Sequence, residues 1–301
     1  MSQETREAIL LRPKLSRTEQ GARFFFLACA FVALGQMVLI MLFLLGEAGG
    51  LFKTANFFDF LFSTEWYPTY EPPEFGAAAL IVGSLAVTFF SSLLAAPIGL
   101  GLAVFLACLA GKSREWIKPA VELMAGVPSV VLGFLGLVVL APFMVDVLGL
   151  PTGLNVLNAS LILALMAIPS IASLGEDALS ATPRQIQDAS YALGATRWET
   201  IWRVTMPASM SGLSTAVILG LGRALGETLV VLMVAGGAAQ IPGSLFDSVR
   251  PLTATLAAEM GETAIGSPHY HALFALGVVL FFLTLGFNLL AHYLGQKWRS
   301  R

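Results

Sequence analysis

Long stretches without any charged residue dominate this sequence, and they decide what the chain can fold into. A helix needs about 20 apolar residues to cross the hydrocarbon core of a bilayer. Solidly apolar runs of this kind differ from the alternating apolar and polar pattern of a transmembrane β-barrel. The sequence therefore predicts an all-α polytopic membrane protein. The charge-free runs cover residues 24–46, 75–111, 123–145, 147–175, 204–222 and 263–296, and a further apolar run covers 228–246.

Six transmembrane helices are predicted from these runs. Turn-forming residues at the start of the fourth run leave about 159–175 for a helix. The fifth helix is predicted over about 209–237, so it runs through Arg223 and Glu227. Pro97 predicts a kink or a break in the second helix, which serves either ordinary helix packing or the lining of a substrate path.

The composition narrows the class of function. Charged residues make up only 12 % of the chain, whereas a soluble domain carries roughly 25 %. A net charge of −2 offers no basic surface for nucleic acid. The two cysteines lie within apolar runs, and the three histidines have no cysteine or carboxylate at ligand spacing, so no disulfide framework or metal site is predicted. The sequence contains no complete nucleotide-binding loop and no catalytic motif, so the chain is not predicted to be an enzyme, and if it takes part in active transport, the energy must come from elsewhere.

Lysine and arginine are distributed asymmetrically between the two sides of the predicted membrane protein. Fourteen of the 17 basic residues lie on the side that holds both termini, only Lys53 and Arg250 lie on the other side, and Arg223 lies within a span. Positive residues mark the cytoplasmic side. Both termini are therefore predicted to be cytoplasmic. The first apolar run is about twice as long as the apolar region of a cleavable signal peptide and follows a long polar leader, so it is predicted to be an uncleaved signal anchor.

The loop 47–76 is acidic and rich in aromatic residues. It holds five carboxylates against one lysine, and its residues 56–62 read Asn-Phe-Phe-Asp-Phe-Leu-Phe. Aromatic side chains favour the membrane interface. We interpret the loop as an interfacial anchor, and the alternative is a docking surface for an external partner.

The polar loop 176–208 is predicted to contain two short helices. Pro183 suits the first helical position, with Thr182 as its cap. The first helix, 184–193, should stop at Gly194, since glycine readily adopts the left-handed conformation of a helix C-terminus.

The second helix of this loop has its own start and stop signals. Thr196 and Glu199 stand three residues apart and form a predicted capping box. Pro207 is predicted to end the helix before the fifth span. Two short helices joined at a glycine form a compact protruding structure. It is either a structured loop without a partner or a contact surface for a partner protein.

This loop resembles the cytoplasmic EAA loop of permeases from ABC importers. That loop reads Glu-Ala-Ala, three residues, Gly, nine residues, then Ile-x-Leu-Pro. The present chain keeps every spacing, with Asp188, Ala189 and Ser190, then Gly194, then Val-Thr-Met before Pro207. The resemblance implies a MetI-like fold of the type I importer permeases, in which this loop forms the coupling helix that sits in a groove of an ATPase subunit.

Three segments, 122–129, 193–199 and 222–228, further resemble phosphate permeases of the PstC type. The resemblance implies half of a phosphate pathway in the bacterial cytoplasmic membrane. Implied partners are a second, PstA-like permease, two PstB-like ATPases that bind ATP and Mg, and an extracytoplasmic PstS-like phosphate-binding protein. No cofactor is expected in this chain. An importer for another oxyanion, such as molybdate or sulfate, is the alternative, and an autonomous carrier is a third hypothesis.

The resulting organisation has five parts. The predicted parts are a cytoplasmic segment 1–23, a first transmembrane helix 24–46, an extracytoplasmic loop 47–76, a permease domain 77–296 and a cytoplasmic tail 297–301.

Arg223 and Glu227 are the candidate residues of the substrate pathway. Spaced four apart, they share one face of the predicted fifth helix. Either they neutralise each other and lock the packing, or the guanidinium contacts an anion, for which its planar fork of donors is suited. The resemblance favours the anion contact. Ser84 and Thr88 are candidates for further donors, although hydroxyls bonded to their own helix are commoner.

Overall fold

A computed structural model gives the structure of residues 17–299, with side chains described for residues 19–290 and 293. The chain divides into two compact units, Met1–Glu47 and Ala48–Arg301. In the described part of the first unit the chain is helical, and the side chains are exposed over most of its length.

The described residues are mainly helical. The helices are α1 Arg17–Leu51, α2 Phe57–Phe62, α3 Ala78–Val104, α4 Arg114–Ala125, α5 Ser129–Leu135, α6 Ala141–Asp146, α7 Val156–Ser180, α8 Arg184–Ala192, α9 Arg197–Thr200, α10 Met206–Ala208, α11 Met210–Leu225, α12 Leu229–Val234, α13 Leu252–Glu259 and α14 Pro268–Arg299. Strands β1 Trp66–Tyr67 and β2 Glu74–Phe75 pair antiparallel in one hairpin. Three π-helical turns connect or extend these helices: one at Phe105–Leu109 extends α3, one at Gly136–Leu140 joins α5 to α6, and one at Ile201–Thr205 joins α9 to α10. A 3₁₀ turn covers Gly111–Ser113.

Five helices of the described chain are long and apolar enough to cross a membrane, and a sixth span is present if α9–α11 counts as one bent unit. The bend between Arg197–Ala208 and Met210–Leu225 is 72°. The prediction of a six-helix, all-α membrane protein is confirmed. The five straight spans are Glu19–Leu51, Ala78–Leu109, Ser129–Asp146, Val156–Ser180 and Pro268–Leu290.

Two spans show how the charge-free runs relate to helices. The third span begins at Ser129, inside the run that starts at residue 123, because the residues before Pro128 form the separate amphipathic helix α4. The second span is not broken at Pro97, since α3 continues through it to Val104 and ends in a π-helical turn.

Helix α7 forms the centre of the unit Ala48–Arg301 and packs against both α3 and α11. Its start is fixed by Asn155, whose side chain accepts a hydrogen bond from the Asn158 amide at 2.9 Å. The close approach of α3 requires glycine, because a Cβ on Gly99 would lie 2.8 Å from the Cβ of Ile171. Buried alanines complete this seam, so the helix backbones stay close where small residues face each other.

Candidate functional site

The fifth apolar segment is interrupted beside its two charged residues. Helix α11 ends at Leu225 and α12 begins at Leu229, with a non-helical step at residues 226–228. The prediction of one continuous helix over 209–237 is therefore wrong. Glycine is a poor helix former, and Gly226 stands at the break.

Glu227 belongs to the second half of the interrupted segment. Its carboxylate accepts a hydrogen bond from the amide of Val230 at 3.5 Å, at the start of α12. Its backbone carbonyl accepts a bond from the Thr253 hydroxyl at 2.8 Å, which ties it to α13. Glu227 is therefore tied to α12 and α13, and its own amide also donates to the Ala224 carbonyl of α11 at 3.3 Å.

Arg223 lies in the last turn of α11 and its side chain is exposed. Within the described residues its guanidinium has neither an ion pair nor a hydrogen bond. The helix ends between Arg223 and Glu227, so the two do not share one face of a continuous helix, and the alternative in which they neutralise each other finds no ion pair among the described residues. Among the residues that the structure describes, Arg223 is therefore a cation in an apolar segment without a partner.

Both residues also line one narrow recess against α7. Its apolar wall is formed by Leu163, Met166 and Ala167, and it is too narrow to hold a water molecule. An anion would therefore contact the exposed side of Arg223 rather than enter this recess.

Ser84 and Thr88 lie buried on α3, and both hydroxyls have partners inside the chain. The Ser84 hydroxyl accepts a bond from the Leu252 amide at 2.8 Å, at the start of α13. The Thr88 hydroxyl donates to the Ser84 carbonyl at 2.8 Å. The first bond joins α3 to α13, and the second lies within α3. Because both hydroxyls already have partners, the pathway proposed below does not include these two residues.

The loop 176–208 folds into the two short helices that its sequence predicts. Helix α8 covers Arg184–Ala192, and Gly194 adopts a φ of 84° just beyond it. The helix starts at residue 184 as predicted, but Pro183 occupies the cap position, with an extended ψ of 129°, rather than the first helical position. Thr182 does not cap the helix, and its hydroxyl lies 2.5 Å from that of Ser209 instead.

The second half of the loop begins with the predicted capping box. Thr196 accepts a bond from the Glu199 amide, and the Glu199 carboxylate accepts bonds from the Thr196 amide at 2.9 Å and hydroxyl at 2.8 Å. These bonds hold the pKa of Glu199 below its ordinary value. The helical run ends at Ala208, one residue after Pro207.

The residues that match the EAA pattern lie on the outside of this loop. Asp188 and Ala189 are exposed, while the Ser190 hydroxyl bonds that of Thr200 at 3.0 Å and joins the two helices. Large apolar side chains are exposed beside them, and Leu193 is 90 % exposed. Such a surface on a structured loop is typical of a protein interface. The other exposed apolar side chains of the loop are Ile186, Tyr191, Trp198 and Trp202.

A charged cluster that the sequence analysis did not identify joins α4 to the end of α7. The Glu176 carboxylate is completely buried, and it binds Arg114 and, at 2.5 Å, the ammonium of Lys118. Lys118 also binds Asp177 at 2.8 Å, and the bonds to Asp177 and Glu176 raise the pKa of Lys118. We call these four residues the Glu176 cluster. In the sequence, the only indication of this cluster is that Glu176 stands near the end of an otherwise apolar segment.

A second polar cluster centres on Glu259, at the end of α13. Its carboxylate binds Arg250 at 2.7 Å, the His269 ring at 2.8 Å and the Trp66 indole at 3.0 Å. These residues line a cavity of about 510 Å³. The cluster ties the loop 47–76 to the last two helices.

The loop 47–76 is itself structured. Phe60 and Trp66 are buried, whereas Phe58 and Phe62 are largely exposed. In its hairpin, a hydrogen bond with Glu65 raises the pKa of Glu74.

Comparison with protein families gives one match that covers most of the chain. Residues 96–300 match the family described as "Binding-protein-dependent transport system inner membrane component".

Individual relatives share between a third and two fifths of their residues with this chain. The probable ABC transporter permease protein YqgH of Bacillus subtilis is 39 % identical over 93 % of this chain and 91 % of its own length. The phosphate transport system permease protein PstC of Mesorhizobium japonicum is 37 % identical over 81 % of this chain and 80 % of its own length.

Two solved structures share the fold. A bacterial alginate ABC transporter in complex with an alginate-bound periplasmic protein matches 92 % of this chain and 96 % of its own, with a TM-score of 0.63 and 17 % identity. The MetNI methionine ABC transporter in an inward-facing conformation matches 72 % of this chain and 93 % of its own, with a TM-score of 0.56 and 23 % identity.

Proposed function

The chain belongs to the family of inner membrane components of binding-protein-dependent transport systems, and from this premise we propose that it forms half of the membrane pathway of an ATP-driven importer for inorganic phosphate. Its relatives named as phosphate permeases support this substrate. The observation that carries the proposal is Arg223, an exposed cation in an apolar segment without a partner among the described residues.

The chemistry of Arg223 fits phosphate. A guanidinium presents a planar fork of donors that matches the oxygens of phosphate, and it stays charged at every physiological pH. Facing lipid, an arginine at the centre of a span costs about 2.5–3.5 kcal/mol on the insertion scale. Arg223 is therefore proposed to face the pathway between this chain and a second permease subunit.

Glu227 has a different proposed role. Its carboxylate lines the same recess as Arg223 but bonds to α12. A negative group close to the bound anion weakens its binding, so Glu227 is proposed to favour release of phosphate from Arg223.

The partners follow from the family and from the loop 176–208. A permease of this family works with an ATPase and a substrate-binding protein. The proposed partners are a PstA-like permease, two PstB-like ATPases that bind ATP and Mg, and a PstS-like phosphate-binding protein. Asp188, Ala189, Ser190, Gly194 and Pro207 are proposed to form or shape the coupling surface, since the exposed apolar side chains beside them provide a contact for an ATPase groove.

The proposed orientation places both termini in the cytoplasm, as the distribution of lysine and arginine indicates. A cysteine in place of Lys53 should then react with an impermeant thiol reagent added to intact cells, and one in place of Arg184 should not. Reaction at Arg184 in intact cells would overturn this orientation.

Phosphate uptake by the Arg223→Gln/Glu227→Gln double variant tests the proposed function. Removing both charges leaves no buried carboxylate without a partner, so the variant should reach the membrane and assemble. Its uptake should fall by at least about tenfold, because a charge-assisted contact to the anion is lost. Arg223→Lys keeps the charge without the fork and should be partly active.

Membrane abundance and retention of the ATPase are measured alongside uptake, so that a failure of assembly is recognised. Wild-type phosphate uptake by the double variant would overturn the role of Arg223. Uptake of sulfate or molybdate instead of phosphate by the wild-type system would assign another oxyanion.

A further inference from the structure

A cavity of about 350 Å³ lies under the loop 176–208. Its wall combines the end of α3, the end of α7 and the loop helices α8 and α9. The volume falls in the range of small-molecule sites. The cavity shares no lining residue with the recess at Arg223, so it is a separate feature of the molecule.

Three arginines line this cavity, each from a different helix. Arg114 comes from α4, Arg184 from α8 and Arg197 from α9. The residues that line the cavity in the described chain include no carboxylate. Arg114 is paired with Glu176. Arg184 and Arg197 have no carboxylate partner among the described residues, so these two like charges repel one another and an anion between them relieves that repulsion.

The guanidinium groups retain free donors. Arg114 binds Glu176, and Arg197 donates to the backbone carbonyl of Cys108. Each guanidinium carries five N–H donors, so these contacts leave others available. Arg184 has no hydrogen bond or ion pair with any residue that the structure describes.

Neutral donors complete the wall. The side chains of Gln187 and Tyr191 also line the cavity. Amide and phenol groups donate to oxyanions without adding charge. The cavity therefore combines size, positive charge and donors from several directions.

We propose that this cavity binds an oxyanion of the phosphate class, either free phosphate or the phosphate group of an anionic membrane lipid. Bidentate contacts from guanidinium groups select this chemistry over halide ions. The bound group would bridge α4 to the loop helices α8 and α9. Because that loop is the proposed coupling surface, a ligand here restrains the loop and slows the transporter.

Cys108 provides a direct readout, because it lines the cavity and is partly exposed. The chain has only one other cysteine, Cys29. In the full chain carrying Cys29→Ser, held in phosphatidylcholine nanodiscs, the rate of Cys108 alkylation reports on access to the cavity. Inorganic phosphate should slow alkylation several-fold and saturably, and chloride at equal ionic strength should not.

Matched variants locate the effect. Arg184→Gln and Arg197→Gln should each raise the half-protecting phosphate concentration by about tenfold, the value of one charged hydrogen bond. Arg203→Gln removes an exposed arginine of the same loop that does not line the cavity, and it should leave protection unchanged. Protection should also persist in Arg223→Gln, which separates this site from the proposed pathway.

Nanodiscs containing phosphatidylglycerol distinguish the source of the phosphate group. Protection there without added phosphate, lost in Arg184→Gln and Arg197→Gln, assigns the site to a lipid headgroup. Protection by free phosphate in phosphatidylcholine, with the same dependence on the two arginines, assigns it to the soluble anion. The proposal is overturned if neither gives protection, or if protection survives both substitutions.

Discussion

The Glu176 cluster and the interrupted fifth span both carry charge next to apolar helices, yet the chain treats the two differently. Glu176 has no exposure to solvent and is bound by Arg114 and Lys118. Arg223 is exposed and has no ion pair among the described residues. The partners of Glu176 come from 58 and 62 positions away, whereas Arg223 and Glu227, only four apart, do not pair.

The difference shows which charges the chain neutralises by itself. A buried carboxylate without cations would cost several kcal/mol, so α4 is held against α7 to supply them. An unpaired guanidinium in an apolar segment is tolerated only where water, a ligand or another subunit meets it. The first arrangement stabilises the chain, and the second leaves a group for function.

The largest expected effect on stability comes from the cluster. Arg114→Gln/Lys118→Gln leaves the Glu176 carboxylate buried without a cation, which should cost about 3–5 kcal/mol in the free energy of unfolding. Denaturant unfolding of the purified chain in detergent, followed by tryptophan fluorescence, measures this loss. Adding Glu176→Gln should restore most of it, since no buried charge then remains. A double variant as stable as the wild type would remove the contrast between the two regions.

Gly194→Val should have the next largest effect. At a φ of 84° a β-branched residue is strained by about 1–3 kcal/mol, although nothing lies within 4 Å of the added Cβ. The strain should displace α8 from α9, so uptake and retention of the ATPase should fall while the protein remains in the membrane. Gly194→Asn is the matched control, because asparagine tolerates this conformation. Normal uptake by Gly194→Val would remove the coupling role from the loop.

A smaller effect is expected at the capping box. Thr196→Ala should destabilise the loop by about 1 kcal/mol, measured as faster amide hydrogen exchange over α9. The bonds to Thr196 lower the pKa of Glu199. The ionised carboxylate therefore contributes its full stabilisation of the loop at pH values above 4.5, the ordinary pKa of a glutamate. That contribution is lost as the pH falls through the lowered pKa. In Thr196→Ala this acid-dependent loss should be reduced, and an unchanged pH profile would contradict the assignment.

The smallest effect on stability is expected at Arg223. Arg223→Gln breaks no contact within the described chain, so the free energy of unfolding should change by less than about 0.5 kcal/mol, although uptake is lost. Arg250→Gln is a useful comparison, because it removes an arginine that is paired with Glu259 and should therefore cost more. If Arg223→Gln destabilises the chain as strongly as the cluster variant, Arg223 is a structural residue.

Local rules determined much of this protein from its sequence. The apolar runs predict the all-α membrane fold, because a span must satisfy every backbone group within itself. The turn at Gly194 and the capping box at Thr196 and Glu199 were also predictable, since they depend on backbone geometry and on partners within three residues.

Only the tertiary structure decided which charges meet. Sequence spacing placed Arg223 and Glu227 on one helical face, but the helix ends at Leu225, and the carbonyl of Glu227 bonds the distant Thr253 of α13. Nothing in the sequence indicated that Arg114 and Lys118 would form ion pairs with Glu176. It also did not indicate that the Ser84 hydroxyl would accept a bond at the start of α13. These contacts join residues far apart in the chain, and the packing of whole helices, rather than any local pattern, brings their atoms within bonding distance.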